Sequence, residues 1–170
     1  MPEYHKGGVA KETVTLATDA DEVVAFFDKL VAEFGCYCAA AEIQVRGGQT
    51  LATHTVGLAE RGWPEFAIIG LDPEVCAKLL TELAKRDTAP KLGELIEGLA
   101  NMPLRVEAVS EDAIAEFFGQ ATSYRLAHGG LEIEAFQLCF PDQDNRWPED
   151  EGHDKRVAKV QVSLKDYHKR

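Results

Sequence analysis

"CAAAEIQVRGGQTLATHTVGL", Cys38 to Leu58, sets two extended runs on either side of Gly47-Gly48. A Gly-Gly pair tolerates the positive φ angles of a tight two-residue turn, so the stretch predicts a β-hairpin. A hairpin commits neighbouring strands to antiparallel pairing. With helical patterns on both sides of it in the chain, the fold class expected is α+β, a mostly antiparallel sheet of about six strands with three to four helices packed on it.

On the N-terminal side, "DADEVVAFFDKLVAEFG" places Val23, Phe26, Phe27, Leu30, Val31 and Phe34 on one helical face. Acidic residues gather at its start, where the helix dipole favours them, and Gly35 closes it. Before it, "ETVTLAT" (Glu12 to Thr18) alternates and is β-branched, which predicts a strand, while residues 1–11 read as a flexible N-terminus. On the C-terminal side, Glu65 to Leu71 is a short apolar strand. Asp72 then caps a helix with Pro73 at its first position and Val75, Cys76, Leu79, Leu80 and Leu83 on one face.

Further on, Leu92, Leu95, Ile96 and Leu99 form a helical stripe weakened by Gly93 and Gly98. Leu104 to Ser110 reads as a strand, and Ser110 as the cap of a helix burying Ile114, Phe117, Phe118 and Ala121. "GLEIEAFQLCF" predicts a long strand, and Val157 to Leu164 a last one. Residues 12–164 thus form one domain, followed by a basic tail at 165–170.

The net charge of −11 argues against nonspecific nucleic-acid binding, which rests on basic side chains neutralising phosphates. Residues 155–170 carry +5, so the first 154 carry −16, an acidic body that repels anionic membranes and attracts basic protein surfaces. No apolar run reaches the roughly 18–20 residues of a bilayer span, and the polar start has no secretory core, which together point to the cytoplasm. Cys36, Cys38, Cys76 and Cys139 read as free thiols; the C-x-C pair has no second Cys pair to complete a zinc site. Neither G-x-G-x-x-G nor G-x-x-x-x-G-K is present, so no cofactor is expected.

The most site-like stretch is "CFPDQDNRWPEDEGHD", Cys139 to Asp154, with six acidic side chains. A calcium loop starting at Asp142 would need glycine where Trp147 stands and glutamate where His153 stands. Asp142 and Asp144 suit either an acid–base pair or a turn closed by their own backbone, with Arg146 on a carboxylate and Trp147-Pro148 as a lid on the core. Three polar residues sit in or beside apolar strands: His54, Glu65 and Gln137. If buried, Glu65 needs a partner, with Arg61 or Arg146 as candidates. Gln137 either stitches a loop or faces a pocket.

"HTVGLAERGWPEFAIIGLDPEVCAKLL", "NMPLRVEAVS" and "AFQLCFPDQDNRWP" together resemble a bacterial family, the domain of unknown function numbered four-two-six-two. The parts that carry the likeness are Thr55 to Leu58, Pro64-Glu65, Gln137-Leu138, Pro141-Asp142 and Pro148, and it covers roughly residues 36–164. The resemblance implies a small cytoplasmic protein of bacteria and their phages and transfers no catalytic residues. The chain departs from the family pattern at Trp63, where histidine is common, at His54 (tyrosine), Asn145 (glycine) and Glu149 (an aromatic).

Two functional readings follow. One is a noncatalytic interaction module whose acidic body binds or inhibits a partner protein, with Trp63 and Trp147 as anchors. The other is a small-molecule sensor or enzyme with a pocket bordered by His54, Glu65, Gln137 and Asp142. A terminal strand at Val157 to Leu164 would also allow self-pairing across a two-fold axis.

Overall fold

The computed structural model describes residues 4–5, 9–11, 20–45 and 48–169. The strand expected at Glu12 to Thr18 lies outside them. The described strands form one sheet in the order β1-β2-β3-β4-β5-β8-β7-β6. Six of them have three residues or more: β2 (Val9–Lys11), β3 (Tyr37–Val45), β4 (Gly48–Val56), β5 (Glu65–Ile69), β7 (Leu104–Ala108) and β8 (Ala135–Cys139). The two-residue strands β1 (Tyr4–His5) and β6 (Leu95–Ile96) lie at its edges. The expected α+β class is found, and pairing is antiparallel except for β2 with β3 and β5 with β8.

The hairpin is the spine of the sheet. Its register runs from Tyr37↔Val56 to Val45↔Gly48, so its strands flank residues 46–47. Because side chains alternate across a strand, this register sorts them to two cores. Tyr37, Ala39, Ile43, Ala52 and Val56 join one core, covered by α1 (Ala20–Phe34), α3 (Glu111–Phe117) and α4 (Gly119–Ala127). Cys36, Cys38, Phe66, Ile68 and Leu138 join the other, covered by α2 (Pro73–Leu83). In α1, Phe27 and Leu30 are buried and Val23, Phe26, Val31 and Phe34 pack beside them. Asp72 caps α2 by accepting from the Glu74 N–H at 2.9 Å.

Four expected elements differ. The stripe at Leu92 to Leu99 is not helical: left-handed backbone at Gly93 and Gly98 interrupts it, and Leu92 and Leu95 face solvent. The helix capped by Ser110 breaks at Phe118 (φ −113), whose ring turns into the core, and restarts as α4. The long strand before the acidic loop shortens to β8, because its parallel partner β5 first pairs at Glu65↔Ala135, and Leu131 stands 87% exposed.

The last strand is replaced by α5 (Lys155–Val160), capped by Asp154 accepting from the Arg156 N–H at 2.8 Å. Val157 packs on the α2-side core, Val162 and Leu164 on the other, so the chain crosses the end of the sheet between them. It crosses over Gly70, where a Cβ would meet the Val160 carbonyl oxygen at 2.9 Å. The strand proposed for self-pairing is therefore not formed.

Candidate functional site

Two β4–β5 residues show how differently one sheet can treat a buried polar group. His54 is 4% exposed, and its ring lies 5.1 Å, centroid to centroid, from Phe118. Among the described residues its Nε2 has no hydrogen-bond partner. Burial alone lowers its pKa to about 4, so the imidazole is neutral near pH 7. Glu65 is also sealed, at 1% exposure, but its carboxylate is fully engaged. It accepts from Thr55 Oγ1 at 2.8 Å and from the backbone N–H groups of Gly57, Leu58 and Ala59 at 3.1–3.2 Å. Burial raises its pKa to about 7 against the pull of those four bonds. Its partners are thus not Arg61, which donates to the Ala84 carbonyl, or Arg146.

His54 lines a cavity of about 580 Å³ with Glu42, Ile43, Gln44, Glu116, Phe117 and Tyr167. A second cavity of about 540 Å³ shares Ile43, Gln44, Phe117 and Tyr167 and adds Val45, Val162 and Leu164. The two cavities adjoin along these shared residues, a grooved surface that is polar where Glu42 and Glu116 stand and apolar toward Val162. Phe117 and Tyr167 meet edge to face at 4.8 Å and form part of its wall.

Gln137 is fully buried on β8 and takes part in no such opening beside His54. Its Nε2 donates to the Val162 carbonyl and its Oε1 accepts from the Leu164 N–H, both at 2.8 Å. Gln161 does the reverse, exchanging two 2.8 Å bonds with the backbone of Phe140. Two side-chain amides therefore replace the ladder that a final strand would have supplied.

The acidic loop is organised around Asp142, which is 3% exposed. Its carboxylate accepts from the N–H groups of Asp144, Arg146 and Asp154 at 2.9 Å and from Arg146 Nε at 3.0 Å. Burial works upward on its pKa, but the backbone bonds from Arg146 and Asp154, with the guanidinium, outweigh it and hold the pKa at about 2. Arg146 also reaches Asp144 at 2.9 Å, and Asn145 takes a left-handed φ of 58° to close the turn. That backbone conformation suits the glycine that the family resemblance places there. Trp147 is half-buried under the Arg105 guanidinium, 4.3 Å from its ring, and Trp63 under Arg61 at 3.8 Å. Asp142, Asp144, Arg146 and Trp147 thus share one loop, while His54, Glu65 and Gln137 occupy separate settings.

The family model described as Domain of unknown function (DUF4262) matches residues 30–154. The chain belongs to the DUF4262 family. No curated protein and no solved structure matches it. The DUF4262 span holds His54, Glu65, Gln137 and the acidic loop, and stops short of Val162, Leu164 and Tyr167, so the groove's far wall lies beyond it.

Sequence reasoning missed Glu42, Glu116, Phe117 and Tyr167 as neighbours of His54. Phe117 carried only a helical-core signal, and Tyr167 stood in a tail with no predicted element. Among the described residues no helix is long and apolar enough to cross a membrane, and no group of three or more His, Cys, Asp and Glu side chains is placed to hold a metal ion.

Proposed function

We propose that the protein is a noncatalytic small-ligand binder whose site is the groove beside His54. One observation carries this reading: a buried, neutral imidazole, its Nε2 without a hydrogen-bond partner among the described residues, borders a cavity of about 580 Å³ that adjoins a more apolar one of about 540 Å³. Unsatisfied buried polar groups are costly, and a pocket with an apolar part and a few convergent polar groups is the usual form of a ligand site. The other candidate groups are already bonded, although Gln137 also lines a smaller cavity of about 250 Å³. Glu65, Gln137 and Asp142 each spend their polar atoms on backbone bonds.

The reading is tested by NMR titration of labelled protein with small apolar probes that carry one polar group. Saturable shifts at His54, Ile43, Phe117 and Tyr167 are expected. Gln44 is exposed and lines both cavities, so Gln44→Trp narrows the groove without touching the core. It should abolish those shifts and leave the melting temperature unchanged. Probes that move no groove resonance, or bind the Gln44→Trp protein equally well, would remove the proposal.

A further inference from the structure

We infer that the groove selects an organic cation: an ammonium group carried on an apolar, preferably aromatic, body. The inference rests on the binding role proposed above and adds the charge of the ligand. It starts from the lining. Among the described residues the cavity beside His54 carries two carboxylates, Glu42 and Glu116, and no lysine or arginine. Both are exposed, and among the described residues neither is held in an ion pair. Glu60, Glu82, Glu94, Glu107, Glu149, Asp142, Asp144 and Asp154, by contrast, each face a basic side chain.

The adjoining cavity adds Asp166. Its one basic lining side chain, His168, lies 3.8 Å from Asp112. His54 contributes no opposing charge, because burial keeps it neutral. Among the described residues the groove therefore presents negative charge at Glu42 and Glu116 with no lysine or arginine in its lining.

The rest of the wall fits the body of such a ligand. Phe117 and Tyr167 are half-buried ring faces and edges at the boundary between the two cavities. Aromatic faces attract ammonium groups, most strongly where water is excluded. Beyond them Val45, Val162 and Leu164 offer an apolar end. An amine seated between Glu42 and Glu116 would lay its carbon skeleton along this wall. The neutral His54 ring, its Nε2 unpaired among the described residues, would border the same cavity.

Three probes with one skeleton separate this inference from the reading beneath it: 2-phenylethylamine, 2-phenylethanol and phenylacetate, titrated while the groove resonances are followed. The amine is expected to bind about tenfold more tightly than the alcohol, and phenylacetate most weakly. Since an acidic protein attracts any cation, the deciding variant is Glu42→Gln/Glu116→Gln, with Glu97→Gln/Glu151→Gln as a control of equal charge change on exposed residues elsewhere. The first should lose about tenfold for the amine and nothing for the alcohol; the second should lose neither. Equal or tighter binding of the alcohol or phenylacetate would overturn the cation inference and leave the groove as a binding site. Equal losses in the two double variants would overturn it as well. Silence of the groove toward all three probes would remove both.

Discussion

Glu65 and His54 stand on adjacent strands, and burial acts on them in opposite senses. Neutral imidazole and neutral carboxylic acid are both the forms that a low-dielectric interior favours. Glu65 has its pKa raised from an ordinary 4.5 to about 7, so the folded chain binds its proton more tightly than the unfolded chain does. Its contribution to stability is full below pH 4.5 and is lost as the pH rises through 7. His54 has its pKa lowered from 6.5 to about 4, so the unfolded chain binds that proton more tightly. Its contribution is full above pH 6.5 and is lost as the pH falls through 4. Each effect has a size of about 3 kcal/mol. Between pH 4.5 and 6.5 the two slopes cancel, and single substitutions should expose them. Urea-unfolding midpoints of His54→Phe should fall as the pH rises across that range, and those of Glu65→Gln should rise. Parallel profiles for the two variants would contradict the assignment. The sequence marks both residues as polar intrusions in apolar strands. It does not reveal that three loop N–H groups converge on Glu65, because that depends on the turn at Leu58–Arg61, a tertiary arrangement without its own residue signature.

At the scale of elements, the C-terminal segment is the most informative. Val160, Val162 and Leu164 alternate, which is why the stretch reads as a strand. Asp154 caps a helix there instead, and the segment after it is tied to the sheet by side chains. Local periodicity was enough to locate α1, α2 and the hairpin, whose faces follow from residues near in sequence. It was not enough for the pairing of β5 with β8, which lie some seventy residues apart, or for the break at Phe118, which a buried ring imposes from across the core. The element that Gln137 secures is also a wall of the groove, through Val162 and Leu164. Gln137→Leu keeps the volume and removes both bonds, leaving the Val162 carbonyl and the Leu164 N–H unpaired. A loss of about 2–4 kcal/mol is expected, together with faster hydrogen exchange at the Leu164 amide. An unchanged protection of that amide would show that the segment is held by packing alone.

Across the whole molecule, the layers on one face of the sheet are joined by charge as well as by apolar contact. Asp28 on α1 accepts from the Tyr124 hydroxyl of α4 and meets His128 Nε2 at 2.8 Å. The His128 ring stacks on Tyr124 at 4.2 Å, and its Nδ1 lies 2.8 Å from the Tyr124 carbonyl. Next to it, Arg125 spans to Glu60 at 2.9 Å and links α4 to the turn above Glu65. The C-terminal tail adds Lys165 on Glu107 at 3.4 Å, and the Lys169 backbone N–H donates to Asp112 at 3.0 Å. An acidic chain with a net charge of −11 gains from every such basic contact, because its own carboxylates otherwise repel one another. In the His128 contact the imidazole pKa is raised above its ordinary 6.5. The Tyr124 carbonyl is the first cause of its raised pKa, followed by Asp28, whose bond and charge outweigh the cost of partial burial, with Glu60 adding to them. A histidine with a raised folded pKa stabilises fully below its unfolded value near 6.5, and the gain disappears as the pH climbs through the folded value. His128→Gln should therefore lower the melting temperature below about pH 6 and match the parent protein at high pH. The ring is partly exposed, so the difference belongs to the surface ion-pair range, under about 1 kcal/mol, and should shrink in added salt. A deficit that persists unchanged to pH 9 would assign the contact to stacking on Tyr124 rather than to charge.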